Sequence, residues 1–249
     1  MTYSVKDIRN FYQSNLGKSV KNQIEIQISE CLPSDLKNQT ILGIGYAVPY
    51  LDEMLSSDNT VLSFMSDTFG CHPWPNDTSS KVALIHDWLI PLQNHSVDYI
   101  ILVHSVEFST HIQSYFKEIW RILKRDGKLI VILPSRLSFW AMLENTPFGF
   151  GQPYTMGQAI HLLSNNGFVI EQQKRLLYGI PSQSTFLRSI FKVFEWIGPY
   201  LFKKFAGVNM VFATKKTFAF SISGLKEPTL SSKQQLTPSP SIPLSSHKD

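Results

Sequence analysis

Apolar residues recur along this chain with two different spacings, and the change from one to the other lays out the fold. Val5, Ile8, Phe11, Tyr12 and Leu16 stand at helical spacing, as do Ile24, Ile28 and Leu32, so residues 1–34 read as N-terminal helices. Short apolar runs follow. Residues 41–44, 60–65, 82–85 and 97–103 each read as a strand, the last apolar throughout apart from Asp98 near its start. Between the first two runs, residues 49–55 predict a helix with Pro49 in its first turn. After the fourth, Ile112, Tyr115, Phe116, Ile119, Trp120 and Leu123 fill one helical stripe, with Ser109 or Thr110 available as N-cap. Arg125-Asp126-Gly127 is a turn, residues 128–133 a fifth strand stopped by Pro134, and residues 155–163 a helix. Residues 168–178 and 208–214 read as two late strands that could form an antiparallel edge pair. Strands of this kind, alternating with helices, predict an α/β protein whose mainly parallel sheet is covered on both faces.

Two segments break the pattern. Residues 135–154 form a long loop rich in aromatic side chains, Phe139, Trp140, Phe148, Phe150 and Tyr154, beside Arg136 and Glu144. Placed after the fifth strand, it would lie at the carboxyl edge of the sheet, where α/β proteins bind ligands. Arg136, Trp140, Phe148 and Tyr154 are therefore expected in a substrate pocket, the alternative being a lid packed on the core. Residues 186–205 are amphipathic, with Phe186, Ile190, Phe194 and Ile197 opposite Arg188, Lys192 and Glu195. They read as part of a cap (residues 184–206) over the pocket rather than a membrane-surface helix, since any helix packed on a core shows this pattern. From residue 226 the chain turns to Ser, Pro, Gln and Lys and reads as a disordered tail, leaving residues 35–225 as the main domain.

Composition narrows the function. With 43% apolar, 12% aromatic and only 17% charged residues, disorder of the bulk is excluded. A net charge of +4 without basic blocks gives no nucleic-acid signature. The basic excess lies in residues 186–216, where six Lys and Arg face Glu195 alone, so the rest is close to neutral. Cys31 and Cys71 lack metal-ligand spacing and are too few to staple the chain, as expected of reduced thiols in a cytoplasmic protein. Lys6, Asp7, Arg9 and Lys18 argue against a signal peptide, and no run reaches the length of a membrane span. No metal site is expected, and Gly-x-Ser-x-Gly and His-Glu-x-x-His signatures are missing.

The candidate chemistry starts at Gly43-Ile44-Gly45-Tyr46-Ala47. A strand ending in such a turn lets a nucleotide-like ligand approach bare backbone, although glycines also make ordinary turns. The third glycine of the phosphate fingerprint is absent, which disfavours a dinucleotide. Further on come His86-Asp87-Trp88-Leu89-Ile90-Pro91, His104-Ser105-Val106-Glu107, Glu118-Ile119-Trp120-Arg121-Ile122-Leu123-Lys124 and Arg125-Asp126-Gly127. This ordered series resembles class I S-adenosylmethionine-dependent methyltransferases of the type 11 methyltransferase-domain group, over roughly residues 35–215. The stretch from Pro134 to Tyr154 resembles a narrower bacterial subset.

The resemblance implies a Rossmann-like seven-stranded sheet, mostly parallel with an antiparallel last strand, and S-adenosyl-L-methionine as cofactor. It places Gly43, Gly45 and Tyr46 against the methionine part, Ser66 and Asp67 near the ribose, and His86, Asp87 and Trp88 near the adenine. A carboxylate at Asp87 would accept the adenine amino hydrogen while Trp88 covers a ring face. His104 would face the methyl-transfer region. Two positions depart from the family pattern: Ile41 stands where an acidic residue is usual, and Ser66-Asp67 stands where an acidic ribose ligand is common. The expected function is methyl transfer to a small-molecule acceptor. The alternatives are a non-catalytic methyltransferase fold acting as a binding or scaffold protein and, more weakly, a nucleotide-binding oxidoreductase.

Overall fold

The computed structural model describes residues 4–56, 58–86, 89–143, 146–179 and 205–215. Seven strands form one sheet: β1 (Thr40–Gly45), β2 (Thr60–Ser66), β3 (Val82–Ile85), β4 (Val97–Val103), β5 (Leu123–Pro134), β6 (Phe168–Leu176) and β7 (Val208–Lys215). Their order is β3-β2-β1-β4-β5-β7-β6. The first five are parallel, and β7 lies antiparallel between β5 and β6. The expected fold class is found. The two late strands form the expected antiparallel pair at one edge: β6 is the edge strand, and β7 beside it is internal and buried along its whole length. Burial explains the difference, since Val208–Lys215 has apolar neighbours on both faces, whereas β6 carries Glu171, Gln172, Gln173, Lys174 and Arg175.

The pleat divides the apolar runs between two cores. Ile41, Ile101, Val103, Ile130, Ile132, Met210 and Phe212 join α1 (Val5–Gln13) and α2 (Asn15–Ser29) through Ile8, Phe11, Tyr12, Val20, Ile24 and Ile28. Leu42, Ile44, Ile100, Leu102, Leu129, Val131 and Val211 join α3 (Ile112–Ile122) and α4 (Met156–Asn165) on the other face. Helix starts are set locally. Ser4 and Asp7 form a capping box on α1, and Thr155 and Gln158 form one on α4. For α3, His111 holds the N-cap position with no side-chain cap, so neither Ser109 nor Thr110 serves. The carboxyl end of α3 is held by buried Lys215, whose Nζ donates to Trp120 O at 2.5 Å and Leu123 O at 2.6 Å and lies 3.9 Å from the Trp120 ring.

The helix expected over residues 49–55 is replaced by two single 3-10 turns, Val48–Tyr50 and Asp52–Met54. Tyr50, Leu51 and Met54 pack into the same core as Ile24 and Ile28, so α2 already fills the space of a crossover helix. Among the described residues, the crossovers from β2 to β3 and from β3 to β4 also lack α-helix. One layer of the fold is thus supplied by chain that precedes the sheet. No helix among the described residues is long and apolar enough to cross a membrane.

Candidate active site

The carboxyl ends of β1 to β5 share one edge of the sheet, and most of the expected site residues gather there. At the end of β1, Gly45 has φ +84°, and the following Tyr46 N–H donates to Val103 O at 2.7 Å. A Cβ on Gly45 would stand 2.2 Å from Val103 O and 2.7 Å from His104 O. The glycine therefore lets the β1 turn close onto the end of β4. A Cβ on Gly43 would meet Ala47 Cβ and Leu51 Cδ1, both at 2.7 Å, so this position admits the 3-10 turn. Tyr46 is buried, stacks on Tyr12 with ring centroids 5.6 Å apart, and places its hydroxyl 3.2 Å from His72 Nε2.

Along the edge, Asp67 follows β2 and His86 follows β3. Asp67 Oδ2 lies 2.5 Å from His86 Nδ1, and their side chains are 40% and 55% exposed. Ser66 is buried and donates to Thr68 Oγ1 at 3.0 Å. Asp87 and Trp88 lie outside the described residues, as do Glu144, residues 186–204 and the tail from residue 226. Ile41 is enclosed in the core.

His104 stands at the end of β4 with φ +48°, a left-handed conformation uncommon for a residue with a side chain, and is 1% exposed. Its ring is engaged on both sides. Nδ1 lies 3.3 Å from Glu107 Oε1, and Nε2 lies 2.9 Å from the Tyr12 hydroxyl of α1. Tyr12 in turn lies 3.0 Å from the Tyr50 hydroxyl. Glu107 Oε2 accepts the Ser105 N–H at 3.0 Å. Burial raises the Tyr12 phenol well above its ordinary range, reinforced by Tyr50 and by the Glu107 charge. Burial also raises Tyr50, and it takes Tyr46 up to about 12.

The 135–154 loop closes over this cluster from the β5 side. Phe148 lies 4.8 Å from the His104 ring and meets Phe11 and Trp140 edge-on. Trp140 and Phe148, both expected to meet substrate, are fully buried, and Trp140 Nε1 donates to Gly179 O at 2.8 Å. Tyr154 is half-buried, and burial together with the Glu107 charge raises its phenol. Arg136 is exposed and donates to Pro153 O at 3.3 Å. Gln152 N–H donates to Glu107 O at 2.8 Å, which ties the loop to the segment after β4.

Solved structures share this fold. One is a Thermotoga maritima S-adenosylmethionine-dependent methyltransferase described as a possible histamine N-methyltransferase: TM-score 0.56, 16% identity, covering 86% of this chain and 96% of that one. Another is the geranyl diphosphate C-methyltransferase of Streptomyces coelicolor: TM-score 0.56, 14% identity, covering 77% and 75%. A third is an S-adenosylmethionine-dependent methyltransferase from Mesorhizobium loti: TM-score 0.53, 12% identity, covering 76% and 96%. The chain has the class I methyltransferase fold. Residues 71–131 match the methyltransferase-domain family model, bearing out the resemblance to the type 11 group. No curated protein matches the chain by sequence.

At the ends of β2 and β3, Asp67 and His86 set a carboxylate beside an imidazole, both reachable from solvent, a pair of hydrogen-bonding groups that would suit the vicinal hydroxyls of a ribose such as that of S-adenosylmethionine. The described residues hold no cluster of three or more His, Cys, Asp or Glu suited to a metal.

Three site residues escape detection from the sequence. Tyr12 belongs to the stripe that predicts α1, and Tyr50 falls in a segment that reads as an ordinary helix. Glu107 enters only as part of the His-x-x-Glu resemblance. The usable signal is chemical: a buried phenol or carboxylate needs a partner, and neither helix stripe nor strand supplies one.

Proposed function

We propose that this chain transfers the methyl group of S-adenosylmethionine to a small-molecule acceptor. The observation that carries the reading is the convergence of the Gly45 turn, the Asp67–His86 pair and His104 on one edge of a methyltransferase sheet. The family-model match over residues 71–131 supports it. When bound, S-adenosylmethionine supplies a methyl group on a positively charged sulfur, an electrophile that needs no metal. The chain's residues would then position the reactants and manage a proton. Asp67 and His86 hold the ribose, and the β1 turn orients the methionine end. Tyr46, Phe148 and Trp140 exclude water around His104, whose imidazole would take up the proton released by an acceptor once Tyr12 gives way.

Isothermal calorimetry with S-adenosylmethionine and with S-adenosylhomocysteine tests the reading. Saturable binding of both is expected, weakened by at least ~10-fold in Asp67→Ala through loss of a charged hydrogen-bond acceptor. Absence of binding by either ligand at millimolar concentration overturns the assignment.

A further inference from the structure

One arginine of α3 ties down the chain that leaves β3. β3 is an edge strand, and its ladder with β2 ends at the pair Ser66–Ile85, so His86 lies just beyond the last paired residue. Past that point the backbone is held from α3. Leu89 N–H donates to His86 O at 3.0 Å, and both polar backbone groups of the next residue are taken by α3 side chains. Ile90 N–H donates to Glu118 Oε2 at 3.0 Å, and Ile90 O accepts from Arg121 Nη2 at 2.8 Å. Arg121 Nη1 donates to Leu92 O at 2.7 Å and to Asn94 Oδ1 at 2.8 Å. Its Nε and Nη2 each donate to the Glu118 carboxylate at 2.8 Å.

We propose that Glu118 and Arg121 are positioning residues for cofactor binding: by clamping Ile90 and Leu92 they fix the chain that follows His86, and so keep its imidazole against Asp67. The inference rests on the methyl-transfer reading for what the Asp67–His86 pair receives. It adds to that reading two residues of a helix that reach the pair only through backbone. The two halves of the pair are held differently. Asp67 N–H donates to Ile85 O at 3.1 Å, so the carboxylate is placed by the strand ends themselves. The imidazole depends on the chain after β3, and that chain depends on the clamp.

The residue types suit that task. A guanidinium presents five N–H donors in a rigid fork, and here all five are used, on two backbone carbonyls, one side-chain amide oxygen and both oxygens of Glu118. The three rotatable donors of an ammonium cannot copy this arrangement. The Arg121 guanidinium holds the Glu118 carboxyl below its ordinary range, and the Ile90 N–H adds to the effect, so Glu118 stays an acceptor. Apolar packing alone does not do the same work. Ile90 is buried among Phe116 and Ile119 of α3, which keeps its side chain in the core. The direction of its backbone is set by the two polar bonds, because burial is non-directional and hydrogen bonds are not.

Isothermal calorimetry on the full chain measures S-adenosylhomocysteine binding in a double-mutant cycle of Arg121→Lys and His86→Ala. Arg121→Lys keeps the charge and loses the fork. It is expected to weaken binding by ~10-fold in the otherwise unaltered chain and by less than ~2-fold beside His86→Ala, because the two act on one contact. An equal factor in both backgrounds means that Arg121 serves the fold alone and overturns the proposal. Amide exchange followed by NMR without cofactor gives a second measure, on Arg121→Lys and on Glu118→Gln. Leu89 N–H is expected to exchange ~10-fold faster in both, with Ile119 N–H of α3 unchanged. Leu89 exchange as slow as in the unaltered chain, or acceleration of both amides together, overturns it. If the unaltered chain binds neither S-adenosylmethionine nor S-adenosylhomocysteine, the methyl-transfer reading falls, and Leu89 exchange alone decides whether α3 holds His86.

Discussion

Gly45→Ala separates two reasons for a glycine at the end of β1. If the glycine only lets a ligand approach, the substitution should spare the cofactor-free protein and weaken cofactor binding. The structure points instead to a large loss of stability without any ligand. At φ +84°, a Cβ adds the left-handed penalty, about 1–2 kcal/mol. It would also stand 2.2 Å from Val103 O, 2.6 Å from Ser105 Cβ and 2.7 Å from His104 O. Two of these atoms are backbone, and Val103 is held by its pairing with Gly45 across β1 and β4, so they cannot swing aside. Overpacking of this kind costs about 1–3 kcal/mol more. The total, about 2–5 kcal/mol, is a large part of the ~5–15 kcal/mol that holds a domain folded. Gly157→Ala in α4 is the control, because its Cβ would meet nothing within 4 Å. It should stabilise by about 0.5–1 kcal/mol through helix propensity. Urea unfolding of the cofactor-free variants measures both, provided the denaturant slopes match wild type. A Gly45→Ala protein within about 0.5 kcal/mol of wild type would refute the packing argument.

Three further outcomes follow from buried side chains. Trp140→Ala should cost about 3–5 kcal/mol by denaturation, because the indole is enclosed and its Nε1 hydrogen bond to Gly179 O is lost; a cost under about 1 kcal/mol would mean that the 135–154 loop is not part of the core. Burial brings the Lys215 amine down to about 8 in the folded chain, against 10.5 when free. The unfolded state then binds more protons between these values, so wild type should gain stability relative to Lys215→Met as pH rises through that window; paired thermal melts that stay parallel would contradict it. Tyr12, Tyr46 and Tyr50 have phenols raised above 10, so they favour folding below pH 10 and that contribution is lost as pH climbs beyond it. Phenolate absorbance should show these three tyrosines ionising together with alkaline unfolding, and smooth titration of all tyrosines near pH 10 would count against their burial.

Strand patterning made the sheet legible, and side-chain chemistry was harder to read. Ile100 to Val103 and Leu129 to Leu133 are apolar on both faces because each face meets helices, and an unbroken apolar run of strand length is what burial on both faces demands. Residues 49–55 misled for a related reason. Their local sequence is compatible with helix, and only the presence of α2 on the same face decides against it, which is tertiary information. The glycines illustrate the site's ambiguity. Gly45 is needed, but the atoms that require it belong to the end of β4 and the residues after it, far along the chain from the turn itself. His104 was placed by the family pattern, whereas its partner on Nε2 comes from α1, a segment that precedes the family's match.

That long-range origin shapes how the site can work. The strands that carry Gly45, Asp67 and His104 are fixed by ladder hydrogen bonds on both sides or by one neighbour in register, and they have no cheap way to move. α1 spans only Val5–Gln13, too short to be helical on its own, and its place depends on Ile8, Phe11 and Tyr12 seated in the core. Its amino end is tied to the strand edge by the Val5 N–H donating to Phe69 O at 2.9 Å. Tyr12 links that helix to the end of β4, since its hydroxyl lies 2.9 Å from His104 Nε2 and its ring stacks on Tyr46. The surroundings of His104 are thus completed from outside the sheet, by a helix that the strand pattern alone would never bring to this edge.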